Sequence, residues 1–222
     1  MRVEIWSDVV CPWCYIGKRH FEQALESFEH ADEVEVLWRS FELDPSHATS
    51  FDGDLSDALA AKYGTSREQA RAMIDGMSER AASVGLRYDL HSAVPANTFD
   101  AHRLIHLATA HGLQDVAEER LFTAYMTDGA DLGDRATLVR LAGEIGLDEA
   151  EAEGVLAGGE YGEAVRADER LAGEIGVTGV PFFVIDGAFA ISGAQPPELM
   201  LSGLQQAYAA GNAEKTPVGG AA

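Results

Sequence analysis

The sequence has few of the residues from which several classes of protein build their functional sites. It contains two cysteines and no apolar run long enough to cross a membrane, so neither a disulfide scaffold nor a membrane-spanning helix is expected. Basic residues are also scarce, because 16 Lys and Arg stand against 37 Asp and Glu and the formal net charge is −21. Nucleic acid and anionic membranes would repel such a surface, and we expect neither as a partner.

The start of the chain lacks the charged and apolar segments of a secretory signal peptide, so we expect a cytoplasmic protein. Thiols are kept reduced in that compartment, where a cysteine pair is more typical of catalysis or redox sensing than of a structural disulfide. At 222 residues, 46% of them hydrophobic, the chain suits one large domain or a core domain with an insertion.

Both cysteines lie in one segment, Cys-Pro-Trp-Cys at residues 11–14. The alternating residues 2–6 predict a strand before it, and apolar residues spaced by three and four predict a helix after it. Pro12 suits the first helical position, which places Cys11 at the helix N-terminus and Cys14 one turn further along. The free N–H groups and dipole there stabilise a thiolate, so we expect Cys11 to attack disulfides and Cys14 to resolve the product.

Two other interpretations of the cysteine pair are open. A structural zinc would need two further ligands, and the sequence has no second Cys-x-x-Cys pair. His102 and His106 have the spacing of a two-histidine metal face, but no third ligand is evident, so no metal is expected. Two inert buried cysteines are the second interpretation. A Cys-x-x-Cys pair between a strand and a helix favours redox chemistry over both.

The patterns that follow predict one more strand and then a long helical region. Val and aromatic residues within 33–43 predict the strand, and a Pro-, Ser- and Gly-containing loop follows at 45–53. Apolar stripes at helical spacing fill about the next hundred residues. Thr65 and Glu68 have the spacing of a capping box at the start of one of these helices.

Strands return near the end of the chain. A long helix is predicted at 160–175, followed by a β-hairpin whose Asp186-Gly187 turn suits a two-residue type I′ loop. A final helix follows Pro197. The expected domains are therefore an α/β core and an inserted all-α subdomain between the second strand and the last-but-one core helix, with a disordered tail. Their expected bounds are 1–50 with 160–210 for the core, 51–159 for the insertion and 211–222 for the tail.

This order of elements, with Cys-Pro-Trp-Cys on the first helix, resembles the thioredoxin-like fold of the DsbA family. The resemblance extends over nearly the whole chain to the FrnE-like branch. The segments that carry it are Ser7-Asp8, Asn97-Thr98, Ala101-His102-Arg103 and Gly176-Val177-Thr178-Gly179-Val180-Pro181. It implies an α/β thioredoxin-like fold with a large all-α insertion, and thiol–disulfide oxidoreductase or isomerase activity.

The resemblance also implies roles for particular residues. Pro181 is expected to be a cis-proline facing the cysteines, where an extended substrate can pair with the backbone of Val180. The alternative is a proline that simply begins a strand at the sheet edge. Further substrate contacts are expected from Pro12 and Trp13 beside the cysteines, and from three residues of the insertion that overhang the active site: Asn97, Phe99 and His102.

Trp13 sets the expected direction of the chemistry. Because it brings no positive charge between the cysteines and Asp8 places a carboxylate nearby, we expect only moderate thiolate stabilisation. We therefore expect a pair less oxidising than periplasmic DsbA, with a potential below roughly −120 mV, acting as a reductase or isomerase. The expected substrate is a protein or small-molecule disulfide or dithiol. No cofactor is expected, and glutathione or another low-molecular-weight thiol is a candidate co-substrate.

Two other functions are compatible with the same residues. Kappa-class glutathione transferases and 2-hydroxychromene-2-carboxylate isomerases share the DsbA-like fold and typically use a single serine or thiol at the position of Cys11. The second cysteine, Cys14, weighs against such a glutathione-dependent isomerase or transferase. The other alternative is a peptide-binding module without redox turnover. The sequence leaves the oligomeric state open.

Overall fold

The computed structural model describes residues 1–46 and 53–215 of the chain. A four-stranded sheet has the order β2-β1-β3-β4. The central strand β1 runs parallel to β2 and antiparallel to β3, and Ile5 pairs with Trp38 on one side and Phe183 on the other. The strands are β1 at Arg2–Ser7, β2 at Glu35–Ser40, β3 at Phe182–Ile185 and β4 at Phe189–Ser192.

The described residues form long helices before, between and after these strands. Helix α1 follows β1, six helices lie between β2 and the next core helix α8, and α9 follows the hairpin. Their bounds are α1 Pro12–Glu26, α2 Leu55–Tyr63, α3 Arg67–Ala82, α4 Phe99–Ala110, α5 Gln114–Met126, α6 Arg135–Glu144, α7 Glu149–Ala157, α8 Gly162–Glu174 and α9 Pro197–Lys215. This is the mixed α/β, mostly helical, thioredoxin-like fold that the sequence predicts. The division into core and inserted subdomain stays a prediction.

Helix α1 lies between two hydrophobic cores. Phe21 and Ala24 pack with the sheet strands and α9. Cys14, Tyr15 and Ile16, earlier on the same helix, belong instead to the core that the helical region builds. The redox segment is therefore held where the sheet meets the helical region, and both parts of the fold position it.

The edge strand β2 is joined to the helical region by one side chain. Gln114, at the start of α5, donates from Nε2 to the carbonyl of Trp38 at 2.9 Å and accepts its N–H at Oε1 at 3.1 Å. The amide group thus takes the place of a neighbouring strand at this residue. This pairing satisfies the N–H and carbonyl of Trp38, which on an edge strand would otherwise be free to pair with another chain.

Several local predictions are confirmed and others are corrected. Asp186 and Gly187 both have positive φ, at 49° and 68°, as a type I′ turn requires. The loop is one residue longer than the predicted two, because Ile185 pairs with Phe189. The capping box lies one residue later than predicted, at Ser66 and Gln69, because the Ser66 hydroxyl accepts the Gln69 N–H. The predicted tail begins too early, since α9 continues to Lys215, and residues 216–222 lie outside those described. Most of the predicted loop at 45–53 also lies outside them.

Candidate active site

The structure places Cys11 at the N-terminus of α1, as the sequence predicts. Cys11 is the N-cap residue and Pro12 begins the helix. The Cys11 N–H donates to the carbonyl of Asp8 at 2.9 Å, and the Cys14 N–H donates to the carbonyl of Cys11 at 3.0 Å. Both thiols are free, with Cys11 4% and Cys14 0% exposed. One thiol therefore borders the surface at the helix end and its partner lies beneath it.

The loop before β3 faces this pair. The Val180–Pro181 peptide bond is cis, as the family resemblance implies. The Cys11 thiol donates to the carbonyl of Val180, with 3.7 Å between Sγ and O. Helix α1 comes close to the proline ring because residue 17 is glycine, where a Cβ would lie 2.8 Å from Pro181 Cγ. The backbone of Val180 is thus beside the sulfur that would carry a substrate.

Burial determines the acidity of the Cys14 thiol. It is the largest of the effects that raise the pKa of the Cys14 thiol well above its usual value, and the neighbouring Cys11 raises it further. The Asp8 N–H and the Ser7 hydroxyl face the Cys14 sulfur and act in the opposite direction, but more weakly. Cys14 is consequently a thiol at neutral pH.

A cavity of about 820 Å³ opens beside Cys11. Three of the residues expected to bind substrate, Pro12, Trp13 and Val180, line it together with α2 and α3. Apolar side chains form most of its wall: Val10, Leu43, Leu55, Leu59, Met73, Ile74, Met77 and Leu90. Trp13, Leu43, Tyr63 and Met73 are among the large hydrophobic side chains most exposed in the described part of the chain. This concentration of exposed apolar surface indicates a binding site.

Pro181 and the three insertion residues expected in the substrate groove do not line this cavity. The Asn97 side chain accepts the Phe99 N–H at 3.0 Å and so satisfies the start of α4. The Phe99 ring lies instead against the guanidinium groups of Arg103 and Arg166. His102 is 1% exposed and points toward Asp8 behind the cysteines. The segment that precedes α4 does line the cavity, but with Pro95, Ala96 and Thr98.

Asp8, His102 and Glu118 form a buried group of ionisable side chains on the inner side of the site. Each is 1% exposed. His102 Nε2 lies 3.6 Å from Asp8 Oδ1, an ion-pair distance too long for a hydrogen bond. Burial opposes the charge on His102, but the neighbouring Asp8 outweighs it, and the His102 pKa is raised above its ordinary value. A histidine and a carboxyl group therefore face each other next to the redox segment.

Two residues from α3 and the following loop contact the redox segment without any signal in the sequence. The Tyr88 hydroxyl donates to the carbonyl of Pro12 at 2.8 Å, across 76 positions of the chain. The Arg80 guanidinium lies over the ring of Trp13, 5.4 Å from its centroid. Trp13 is 39% exposed and lines the cavity. The Arg80 cation therefore holds an exposed aromatic ring in place there.

The paired histidines of α4 are used separately. His106 Nε2 lies 3.1 Å from the Ser40 hydroxyl and 3.2 Å from Asp168, whereas His102 faces Asp8. Within the described ranges, no three His, Cys, Asp or Glu residues are arranged to hold a metal ion. No helix in those ranges is both long and apolar enough to cross a bilayer.

Comparison with known proteins identifies the family. Residues 2–205 match the DSBA-like thioredoxin domain. The chain is 30% identical over 196 residues to YwbO, an uncharacterized protein of Bacillus subtilis (strain 168), which covers 87% of this chain and 90% of YwbO.

Solved structures agree with this match. A probable DsbA oxidoreductase from Streptomyces coelicolor is 46% identical, with a TM-score of 0.91 over 100% of this chain and 94% of that one. A 2-hydroxychromene-2-carboxylate isomerase shares the fold at 15% identity, with a TM-score of 0.70 over 97% of this chain and 100% of that one. At a general level, these matches support a thiol–disulfide oxidoreductase or a related isomerase. The chain belongs to the DSBA-like thioredoxin domain family.

Proposed function

We propose that the protein is a dithiol–disulfide oxidoreductase in which Cys11 is the attacking thiol and Cys14 the resolving thiol. The observation that carries this proposal is the position of the Cys11 sulfur, at the N-terminus of α1 and 3.7 Å from the Val180 carbonyl, above a fully buried second thiol. A helix N-terminus favours the thiolate, which is the species that attacks disulfides.

The reaction proceeds in two exchanges. The Cys11 thiolate attacks one sulfur of the substrate disulfide, so that a bond to Cys11 forms, the substrate S–S bond breaks and one substrate thiolate leaves. Cys14 then loses its proton and attacks Cys11, which forms the Cys11–Cys14 disulfide and releases the second substrate thiolate. The substrate is reduced by two electrons and the cysteine pair is oxidised. Run backwards, the oxidised pair delivers its disulfide to a substrate dithiol.

The cavity supports a substrate with uncharged groups beside its disulfide. Its wall is mainly apolar, and among the described residues that line it Lys62 is the one cation, against Asp8 and Asp44. Glutathione carries two carboxylates, for which this lining offers little charge complementarity. The glutathione-dependent isomerase, with which the chain shares its fold, is therefore the weaker candidate, and the buried Cys14 beneath Cys11 also favours a dithiol mechanism.

We propose that the pair works in the reductase or isomerase direction. Trp13 puts no charge between the cysteines, and the Arg80 guanidinium above its ring belongs to an exposed side chain whose field is screened by salt. The cytoplasmic location expected from the sequence suits that direction. A reduction potential at or above roughly −120 mV would contradict it.

Equilibration against a glutathione redox buffer, together with insulin reduction, tests the function. We expect a reversible Cys11–Cys14 disulfide in the native protein, no turnover for Cys11→Ser, and a trapped mixed disulfide for Cys14→Ser. Undiminished turnover of Cys14→Ser would instead support the single-thiol, glutathione-dependent reaction. Unaltered biological activity of Cys11→Ser would support a binding module without redox chemistry.

A further inference from the structure

The cavity beside Cys11 follows the length of α3. The side chains that α3 contributes to its wall recur at helical spacing, as Met73, Ile74 and Met77. Arg80, one turn further along, lies over the ring of Trp13, which also lines the cavity. The C-terminal end of α3 therefore lies at the end of the cavity that holds Cys11 and Trp13, which we call the redox end.

The opposite end of the cavity lies near the turn between α2 and α3. A helix rises about 1.5 Å per residue, so the axis of α3 extends about 20 Å from Arg67 to Arg80. Lys62 lines the cavity from the last turn of α2, close in the chain to Arg67. Leu55 and Leu59 lie on the same face of α2 and also line it. The cavity is thus long and apolar, and Lys62 lies far from the redox end.

The acidic residues of the lining lie at the redox end. Asp8 accepts the Cys11 N–H with its carbonyl at 2.9 Å and the Leu43 N–H with its carboxylate at 2.8 Å. Asp44 directly follows Leu43 in the chain and lines the same part of the cavity. Because like charges repel, an anionic group of a substrate is disfavoured beside the reacting sulfur.

Lys62 provides the opposite charge at the far end. It is the one cation among the described residues that line the cavity. Its side chain is exposed, and it forms no ion pair with any other residue in the described ranges. The nearby acids of α2, Asp54 and Asp57, pair instead with Arg67 at the start of α3. The Lys62 ammonium is therefore available to an anionic group that enters the cavity.

We propose that the cavity binds an amphipathic substrate with one carboxylate, whose disulfide lies at Cys11, whose apolar chain lies along α3 and whose carboxylate pairs with Lys62. This inference rests on the proposed function and names its substrate class. The apolar wall accommodates the chain, and the separation of charges sets the orientation, because a carboxylate next to the disulfide would lie beside Asp8. A cavity of about 820 Å³ has the volume that a ligand of this size requires.

Mixed 2-pyridyl disulfides of mercaptoalkanoic acids test this orientation with the reduced protein. The Cys11 thiolate forms a bond to the sulfur that carries the alkyl chain, the S–S bond of the probe breaks, and a coloured thiopyridone leaves. The rate of its release therefore reports binding and attack together. The probes are a three-carbon and an eleven-carbon acid, each paired with its neutral carboxamide and used below its micelle concentration.

For the native protein we expect the second-order rate constant to rise at least about tenfold from the short to the long carboxamide, because the added methylenes are buried. The long acid is expected to react about two- to fivefold faster than the long carboxamide, the range of an exposed ion pair. The short acid is expected to show no such advantage. Lys62→Gln abolishes the advantage of the long acid, and Lys62→Arg retains it because arginine keeps the charge.

Arg71→Gln is the matched control, because Arg71 is an exposed cation of α3 that does not line the cavity. It removes the same charge from the protein, so the long acid is expected to keep its advantage. The inference is overturned if the long acid and the long carboxamide react equally with the native protein, since the cavity would then take an uncharged group. It is equally overturned if Arg71→Gln abolishes the advantage as Lys62→Gln does. Absence of reaction with all four probes would contradict the proposed function itself, and the inference with it.

Discussion

Gly17 is the residue of α1 that touches the ring of Pro181. A Cβ here would lie 2.8 Å from Pro181 Cγ, and a proline ring has little freedom to move away. We expect Gly17→Ala to destabilise the protein by about 1–3 kcal/mol, as overpacking does. Insulin reduction should also slow, because the loop beside Cys11 has to shift. Urea unfolding and the insulin assay measure the two effects.

Gly76 on α3 provides the control for this substitution. Nothing lies within 4 Å of a Cβ at that position, so alanine meets no neighbour there. We expect Gly76→Ala to stabilise the protein by about 0.5–1 kcal/mol through helix propensity. If both alanine variants gained stability, the close approach between α1 and Pro181 would be wrong.

Glu118 makes the stability of the protein depend on pH. Burial raises its pKa in the folded state to about 8, although the charges of His102 and Lys18 act in the opposite direction. An acid with a raised pKa contributes stability that is complete below its unfolded value of 4.5 and is lost as the pH rises through 8. As the pH rises between these limits, we expect the free energy of unfolding of Glu118→Gln to increase by on the order of 4 kcal/mol relative to that of the native protein. Urea unfolding across this range measures the difference.

Glu144 on α6 provides a control of opposite sign. Its hydrogen bond to Arg120 lowers its pKa, so its contribution is lost only as the pH falls through the acid range. We expect Glu144→Gln to differ from the native protein by a nearly constant amount between pH 5 and 8. A similarly flat difference for Glu118→Gln would show that Glu118 is charged when folded.

At the scale of elements, Arg103 joins α4 to the end of α7. The side chain is 4% exposed and donates to the carbonyls of Val155, Gly158 and Glu160, and it pairs with Asp100 at 2.7 Å. A lysine cannot reach these acceptors together, because its ammonium is a single point without the planar fork of arginine. We expect Arg103→Lys to lower the free energy of unfolding by about 2–4 kcal/mol.

Arg170 on α8 is the matched surface arginine. It is largely exposed and pairs with Glu163. We expect Arg170→Lys to change the free energy of unfolding by less than about 0.5 kcal/mol, as for other exposed ion pairs. Urea unfolding of both variants gives the comparison, and equal effects would contradict a joining role for Arg103.

For the whole molecule, the net charge of −21 is the dominant electrostatic feature. Repulsion among the excess carboxylates opposes the compact state, and salt screens it. Salt also weakens surface ion pairs, but each of these contributes only about 0–1 kcal/mol. We expect the free energy of unfolding to rise between low and moderate sodium chloride concentration, by roughly 1 kcal/mol. A fall measured by urea unfolding would mean that ion pairs outweigh the net charge.

The sequence by itself determines the elements whose causes are local. Pro12 after Cys11 sets the start of α1, Asp186-Gly187 sets the hairpin, and apolar periodicity sets the helices. Cys11 and Cys14 are recognisable for the same reason, since their chemistry depends on three residues of spacing and a helix end. The position of the cis peptide at Pro181 follows from family resemblance, because an isolated Val-Pro pair carries no such signal.

Only the tertiary structure decides which distant residues meet. Tyr88 reaches Pro12, His102 faces Asp8 and Phe99 packs on two arginines because the helices between β2 and β3 pack in one particular arrangement. A helical period shows that a residue faces inward, but not what it faces. The spacing of His102 and His106 therefore suggests a shared role, whereas packing directs them to different partners, Asp8 after β1 and Ser40 in β2.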